Sequence, residues 1–441
     1  MRRLALLLIA ALGAAASGAS SSLREVIAAA KPGDTVLVEP GVYAGNLVID
    51  KPLTLKGKGR PVIRGEGKGS VITVLAGPAA IEGFQIERSG GRLEREDSGI
   101  LLRSSGNRVV NNVFRDVLYG IYFFASDHNQ VAGNVIDGRP WLEQGERGSG
   151  IHVWKSADNT ITGNVITGVR DGMYLQNANR SRIKGNRVSG VRYGLHYMYS
   201  DDNAFEDNVF ERNVAGAAIM YSQRISFRRN AFVRNRGFAS YGILFQDSDY
   251  LRSENNVFAD NAVGIFMEAL RHSVFEGNLI ASNDTAVFIF ASATGNEFTR
   301  NNFIGNLTPI RVVGKNTRTH WSRNGTGNYW QEYEGYDLDG DSIGDVPFRI
   351  QNLFEHLEGN YPRLRLYFFS PASQALAAAE KTFPIIQGSD ERDPHPLMRP
   401  AALALPRYQE NAPARFPGAG IPAAASILVI SLTVLLREKR R

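Results

Sequence analysis

The chain has 441 residues, a formal net charge of +6 and no cysteine. The lack of cysteine excludes disulfides, thiolate metal sites and cysteine nucleophiles. Much of the positive charge lies at the two ends, at Arg2, Arg3 and residues 437–441, so the charge does not indicate a nucleic-acid partner.

The N-terminus has the pattern of a secretory signal peptide, which we assign to residues 1–19. Arg2 and Arg3 precede an apolar run from Leu4 to Leu12, and small residues follow that run. Because the run is too short to cross a bilayer, export is favoured over a membrane anchor.

Residues 20–316 contain a repeat in which glycines and asparagines recur every 22 residues over much of its length. The glycines that open the units are Gly150, Gly172, Gly194, Gly216, Gly242 and Gly264, and the closing asparagines are Asn164, Asn186, Asn208, Asn230, Asn256 and Asn278. After each glycine, apolar residues alternate with others, which is typical of strands. Units of this length bury their apolar faces by stacking, so we predict an all-β fold, a right-handed parallel β-helix. The stacked asparagines are expected to hydrogen-bond along the axis.

A predicted capping helix precedes the repeat, and two insertions interrupt it. An amphipathic helix over residues 23–30, which Pro32 and Gly33 stop, is predicted to cover the first coil. Insertions at 139–148 and 235–240 both precede a strand that a glycine opens. Because insertions gathered on one edge of a solenoid often flank its binding face, we expect these two to border the site.

Residues 317–350 form an aromatic and acidic segment that is predicted to close the solenoid. Asp337, Asp339, Asp341 and Asp345 occupy positions 1, 3, 5 and 9 of an EF-hand-like loop. Glycine stands at the fourth position rather than the sixth, and Phe348 replaces the glutamate of the twelfth. The loop is therefore interpreted either as a calcium site or as an Asp-Gly turn that bonds its own backbone.

The C-terminal part contains two predicted segments and a tail. Residues 351–417 are rich in proline and alanine and are predicted to be an extended docking segment. Residues 418–436 carry no charge over 19 positions, which is long enough for a transmembrane anchor. The basic cluster 437–441 should stay cytoplasmic, so the body of the protein is predicted to lie in the periplasm, anchored to the inner membrane.

The outward face of the glycine-opened strands carries the candidate site. Residues one and three after each glycine are apolar and point inward, so residues two and four point outward. Coils stack about 4.8 Å apart, which places Met198 beside Met220, with His196 next to them and His152 two coils away. Imidazole and thioether groups suit Cu(I) where thiolates are absent, so these four residues are the predicted copper ligands. The aromatic walls of the same face are Trp154 and Tyr174.

A catalytic role is the competing interpretation of such a face. Glycoside hydrolysis needs paired carboxylates on one surface, and lyases need clustered aspartates with a basic residue. The outward positions supply only Glu268, and Asp201 with Asp202 falls in a turn of the repeat. We therefore predict a protein without catalytic activity. A carbohydrate-binding or polysaccharide-cleaving β-helix, whose aromatic stripe stacks on sugars, remains the alternative, and a surface adhesin is a third class.

Several stretches besides the repeats are similar in sequence to one protein family. They are residues 31–35 and 51–57 near the start and, as the most specific part, residues 328–330, 335–337 and 339–347. In these residues the chain resembles the NosD family, the periplasmic β-helical proteins of nitrous oxide reductase maturation. The resemblance implies a partner of an ABC transporter permease that helps deliver copper or sulfur to the nitrous oxide reductase apoprotein. It also implies a copper chaperone lipoprotein as the donor, with Cu(I) held transiently.

Overall fold

The computed structural model describes residues 6–9, 22–237, 239–314, 317–350 and 391–406, together with the single positions 370 and 375. The predicted transmembrane anchor and cytoplasmic tail lie outside these residues. Most of the signal peptide and most of the docking segment do so as well.

The described chain forms a parallel β-helix, as predicted. In each coil the chain passes through a first, a second and a third parallel sheet before it begins the next coil. The first sheet contains Leu6–Ile9, Thr35–Val38, Leu53–Gly57, Ala79–Glu82, Arg108–Val110, Gln130–Ala132, Thr160–Thr162, Arg182–Lys184, Ala204–Glu206, Ser226–Arg228, Arg252–Glu254, Val274–Glu276 and Glu297–Thr299. The second sheet contains Val42–Ala44, Val62–Arg64, Gln85–Glu87, Val113–Arg115, Val135–Asp137, Val165–Thr167, Arg187–Ser189, Val209–Glu211, Ala231–Val233, Val257–Ala259, Leu279–Ala281, Asn302–Ile304 and Tyr329–Trp330. The third sheet contains Leu47–Ile49, Ile72–Val74, Ser98–Leu102, Tyr119–Phe124, Ser149–Trp154, Asp171–Gln176, Tyr193–Met198, Ala215–Met220, Tyr241–Asp249, Val263–Arg271, Thr285–Phe290 and Thr308–Val313.

The predicted capping helix is present at Leu23–Ala29. Ser22 accepts a hydrogen bond from the backbone amide of Glu25, and the Glu25 side chain accepts one from the amide of Ser22. This capping box satisfies backbone donors at the start of the helix. Leu23 and Ile27, one turn apart, are both buried, so the helix covers the apolar end of the first coil.

One strand lies inside the predicted signal peptide. Leu6–Ile9 pairs in parallel with Thr35–Val38 and extends the first sheet by one strand. The first strand of a sheet presents unpaired backbone donors and acceptors at its open edge, and an added strand satisfies its own backbone groups by pairing with them. Whether residues 1–19 are removed on export is a separate matter of processing and stays a prediction.

The interior of the stack is apolar, and similar side chains lie on each other in successive coils. The inward positions of the third sheet are fully buried, as predicted; examples are Ile151, Val153, Met173, Leu175, Leu195 and Tyr197. The ring of Phe232 stacks between those of Phe210 and Phe258, with centroids 5.2 Å apart on both sides. Glycine opens the third-sheet strands because a Cβ on Gly194 would lie 2.5 Å from the carbonyl oxygen of Gly216 in the next coil.

A column of buried asparagines runs along the stack and confirms the predicted side-chain ladder. Each side-chain amide donates to the side-chain oxygen of the next asparagine in the series Asn112, Asn134, Asn164, Asn186, Asn208, Asn230, Asn256, Asn278, Asn301 and Asn328. The Asn208 oxygen also accepts from the backbone amide of Asn186 at 3.0 Å, and its Nδ2 donates to the carbonyl of Ile183 at 2.8 Å. The ladder therefore satisfies backbone groups at a turn that is closed to solvent.

The stack continues beyond residue 316, where the predicted repeat ends. Tyr329–Trp330 adds a last strand to the second sheet, and Phe348–Arg349 pairs antiparallel with Arg392–Asp393. The buried Asp393 carboxylate accepts from Trp330 Nε1 at 2.9 Å, and the buried Glu391 carboxylate accepts from Trp321 Nε1 at 2.7 Å. These bonds hold residues 391–406 against the last coils.

Candidate functional site

Two columns of side chains cover the outer face of the third sheet. The register aligns the second residues after each glycine as Tyr122, His152, Tyr174, His196 and Ala218, which we call the imidazole column. It aligns the fourth residues as Phe124, Trp154, Gln176, Met198 and Met220, which we call the thioether column. Predicted copper ligands and aromatic walls therefore lie on one face, in the order expected from the repeat.

The structure brings three of the four predicted ligands together. Met198 and Met220 are direct register partners, so their side chains lie one coil apart. His196 lies on the same strand as Met198, two residues earlier, and therefore projects from the same face. All three side chains are half-buried. The Tyr174 hydroxyl lies 3.8 Å from the Met198 sulfur, so this ring forms a wall of the group.

His152 is separated from that group and is not exposed. Its ring is stacked between Tyr122, at a centroid distance of 4.3 Å, and Tyr174, at 4.4 Å. Tyr174 therefore stands between His152 and His196 in the column. Only 9% of His152 is exposed, so the expectation that it lies open on the face is wrong. Burial, reinforced by the positive charge of Arg170, lowers the pKa of His152 to about 3.

A third row of side chains explains this burial, and the pattern of inward and outward residues did not predict it. The residue before each opening glycine also lies on the outer face; in the strands from Tyr119 to Met198 these residues are Tyr119, Ser149, Asp171 and Tyr193, which we call the flanking row. The Tyr119 ring lies 5.4 Å from Tyr122 and 5.5 Å from His152, and Tyr193 lies 5.0 Å from His196. The sequence does contain a signal for this row, because a large polar residue directly precedes several of the opening glycines.

Asp171 orients His196. Its carboxylate is fully buried and lies 3.2 Å from His196 Nδ1. Arg192 donates two further hydrogen bonds to it, at 2.8 and 2.6 Å. Burial alone would raise the pKa of Asp171, but the bonds from His196 and Arg192 outweigh burial and lower it to about 2. A carboxylate on Nδ1 leaves Nε2 as the nitrogen available to a ligand, the usual arrangement around metal-binding histidines.

The two predicted insertions and one further loop each precede a strand of the third sheet in the chain. In the first predicted insertion, Arg139 bonds Asp116 and the carbonyls of Ser89 and Gly90, so this insertion is tied back to earlier coils. In the second insertion, Arg236 is paired with Asp260 and Asp284. The loop around the short 3-10 helix Leu93–Arg95 was not anticipated; there, Glu96 accepts a 2.8 Å hydrogen bond from the Tyr122 hydroxyl.

The acidic loop gathers three of its four aspartates. Carboxylate oxygens of Asp337, Asp339 and Asp341 lie within 4.8 Å of one another. Asp345 is used elsewhere, because its carboxylate accepts from the backbone amide of Leu338 at 2.6 Å. The other three carboxylates also accept from backbone amides of their own loop. Both predicted interpretations, a calcium site and a self-bonded turn, are compatible with this geometry.

Asp201 and Asp202 lie in a turn of the repeat, as predicted, and each carboxylate is bonded to the next coil. Asp201 accepts from the backbone amide of Gln223 at 2.9 Å. Asp202 has a left-handed backbone conformation and is ion-paired with Arg224. Both residues therefore serve the turn between the third and first sheets.

Comparison with known proteins identifies similar sequences over most of the chain. A family model described as periplasmic copper-binding protein (NosD) matches residues 133–335, and a model described as a protein of unknown function matches residues 44–176. The probable ABC transporter binding protein NosD of Pseudomonas aeruginosa is 36% identical over 383 residues, which cover 83% of this chain and 89% of that protein. The protein of the same description from Stutzerimonas stutzeri is 32% identical over 388 residues, covering 84% and 88%.

Comparison of structures identifies the architecture. The A-module of mannuronan C-5 epimerase AlgE4 from Azotobacter vinelandii matches with a TM-score of 0.53 at 14% identity, over 66% of this chain and 92% of that chain. At this identity the similarity concerns the fold alone. Within the part of the chain that the structure describes, no helix is both long and apolar enough to cross a bilayer.

Proposed function

Because the chain belongs to the NosD family of periplasmic copper-binding proteins, we propose that it is a non-catalytic maturation factor for nitrous oxide reductase. With an ABC transporter permease it receives copper, or a sulfur species, and delivers this cargo for assembly of the metal centre. The donor is a copper chaperone lipoprotein and the recipient is the reductase apoprotein. The names of the relatives support the transporter, since both are described as ABC transporter binding proteins.

The observation that carries the copper part is the group formed by His196, Met198 and Met220. One imidazole and two thioethers are soft ligands that suit Cu(I), and the chain has no thiolate to compete. The three side chains are half-buried on a rigid sheet, so few atoms need ordering when the ion binds and the ion can leave again. His152 takes no part in this proposal, because Tyr174 separates it from the group.

The absence of catalysis is supported by the relatives and by the chemistry of the face. The relatives are named as binding proteins, and Glu268 is the one carboxylate among the outward positions two and four of the strands from Tyr119 to Arg271. Asp171, in the flanking row of the same face, is fully buried and bonded to Arg192 and His196, so the face does not offer the two accessible carboxylates of glycoside cleavage. The match to an epimerase module does not alter this, since it concerns the fold.

Replacing Met198 and Met220 together with leucine tests the copper site. Leucine keeps the apolar volume and removes both sulfurs, so we expect the protein to fold while its Cu(I) affinity falls by about tenfold or more. Copper in nitrous oxide reductase purified from the variant strain should fall in parallel. Affinity is measured by competition with a chromogenic Cu(I) chelator, and metal content by mass spectrometry.

The matched control replaces Met173 and Met267 with leucine, because these two methionines are fully buried in the core. It removes the same two sulfurs and should leave copper binding unchanged. If the reductase from the Met198→Leu, Met220→Leu strain holds normal copper, the proposed site is wrong. Sulfide measured on the same reductase samples distinguishes the two cargoes.

We also propose that Asp337, Asp339 and Asp341 bind one calcium ion, since their converging carboxylates repel one another without a cation. Millimolar calcium should then raise the melting temperature and slow proteolysis of this loop relative to a chelator. Asp339→Asn should abolish both effects. Asp345→Asn should keep them, because Asp345 bonds the Leu338 amide instead. If calcium has no effect on the unmodified protein, the loop is a self-bonded turn.

Inner-membrane anchoring is proposed from the sequence of residues 418–436, which lie outside the described residues. The support is an uncharged run of 19 residues before a basic cluster. The full-length protein should stay in the membrane pellet after carbonate washing, whereas a chain that ends at Arg415 should be released. Release of the intact protein would contradict the anchor.

A further inference from the structure

The outer face of the second sheet carries an apolar patch over three successive coils. Two rows of side chains that point away from the interior form it, Ala231, Val257 and Leu279 in one row and Val233, Ala259 and Ala281 in the other. All six are buried, whereas the equivalent outward positions of the first sheet carry charged residues such as Arg228 and Glu254. Buried side chains on the outside of a solenoid need other chain packed over them. Leu403 and Leu405 pack against the patch and supply part of this cover.

Residues 397–406, which we call the strap, are fastened across this face through their backbone. The Asn302 side chain bonds both backbone groups of Ala401: its Nδ2 donates to the carbonyl at 3.0 Å, and its Oδ1 accepts from the amide at 2.8 Å. The Ala404 amide donates to Asn255 Oδ1 at 3.1 Å. These bonds fix the path of the strap over the coils.

The strap crosses the coils in an extended conformation. Asn302 lies two coils from Val257 in the same row, and Asn255 lies two residues before Val257. The three residues from Ala401 to Ala404 therefore cross about two coils, or about 10 Å, which is the rise of a fully extended chain. The strap runs in this way from the last coils towards the first.

The two rows continue beyond the patch in the same direction. Val209 follows Ala231, and Glu211 follows Val233. Glu211 is only 2% exposed, and it forms a 2.5 Å ion pair with Arg187 of the next coil. A carboxylate on the outside of a sheet is enclosed to this extent where further chain packs over it. The need for cover therefore extends past the patch.

The chain that follows the strap has the length and composition for this second stretch. Residues 407–417, which lie outside the described residues, join Pro406 to the predicted anchor. These eleven residues, at about 3.3 Å each, reach about 36 Å, or about seven coils. They include the aromatic residues Tyr408 and Phe416. They also include Pro413, which favours extended chain and has no backbone N–H to satisfy.

We propose that residues 407–417 continue the strap along the outer face of the second sheet, over Val209 and Glu211 and as far as Val165. The direction of the strap, the burial of Glu211 and the available length of chain support this placement. The segment then encloses the second sheet only, so the imidazole and thioether columns on the third sheet stay open. This placement is independent of copper, and it brings the start of the predicted anchor beside the middle coils rather than the last one.

Cysteine cross-linking in the full-length protein tests the strap, since the chain has no cysteine of its own. Val209→Cys is combined with one cysteine at a time at positions 407–412, and disulfides formed with diamide are measured by peptide mass spectrometry. Val209 lies two coils beyond Val257, so the yield should peak about three residues after Ala404, at position 407 or 408. With Val165→Cys, two coils further on, the peak should move by about three residues, to position 410 or 411.

Ala204→Cys is the matched control, because Ala204 is an outward residue in the same coil as Val209 but lies in the first sheet. Its yield with positions 407–412 should be lower by about tenfold or more, since a disulfide needs Cα atoms about 4.4 to 6.8 Å apart. Disulfide-linked dimers would instead assign the face to a second copy of the chain. That result, no cross-link to Val209→Cys at any position, equal yields with Ala204→Cys, or the same peak position for Val209→Cys and Val165→Cys would overturn the proposal.

Discussion

Lowering the pH from about 6.5 to about 3 should reduce the free energy of unfolding by about 4 to 5 kcal/mol through His152 alone. In the folded protein, burial between two tyrosine rings lowers the pKa of His152 from 6.5 to about 3. The folded pKa is below the unfolded one, so the contribution is fully present above pH 6.5. It is lost as the pH falls towards 3, because the unfolded chain takes up the proton and the folded chain resists it.

His152→Phe isolates this contribution. Phenylalanine keeps an aromatic ring between Tyr122 and Tyr174 and cannot be protonated. Unfolding by urea at pH 7, 5 and 4 should show a much flatter pH dependence for this variant than for the unmodified protein. His320→Phe is the control, because His320 is exposed and its replacement should leave the pH dependence unchanged. Parallel pH profiles for His152→Phe and the unmodified protein would show that His152 is not buried as described.

Asn208→Ala should lower the free energy of unfolding by about 3 to 5 kcal/mol. The Asn208 side chain is fully buried and makes four hydrogen bonds, two accepted from Asn186 and two donated, to Ile183 and Asn230. Alanine leaves the backbone amide of Asn186 enclosed without its partner and removes the side-chain bond to the carbonyl of Ile183. It also opens a cavity in the centre of the ladder.

The measurement is denaturant unfolding combined with hydrogen exchange, because a stack of coils can open locally before it unfolds as a whole. Exchange at the amide of Asn186 should accelerate strongly in Asn208→Ala. Gln130→Ala, at an exposed strand position, should change stability by no more than about 0.5 kcal/mol. If Asn208→Ala resembles that control, the ladder contributes little and the apolar core alone holds the coils together.

The sequence alone determined the coil, its register and the side of the sheet on which each side chain lies. Glycines at 22-residue intervals place equivalent residues on top of one another, and the alternation of apolar residues assigns the inward and outward positions. For this reason the neighbours Met198 and Met220 were predictable. The asparagine ladder was predictable for the same reason, since it follows from periodicity and strand geometry alone.

The tertiary structure decided which outward side chains reach solvent. His152 and Met220 both point outward, yet His152 is buried and Met220 only half-buried. His152 is covered by Tyr119 from the flanking row and by the rings of adjacent coils. Likewise, Asp393 joins the last coil through Trp330, 63 residues earlier in the chain. The repeat period specifies neighbours within a column. Whether a side chain is buried by another row or by a distant segment depends on the sizes of the side chains and on contacts between residues that are not one repeat apart. Only the folded chain shows these contacts.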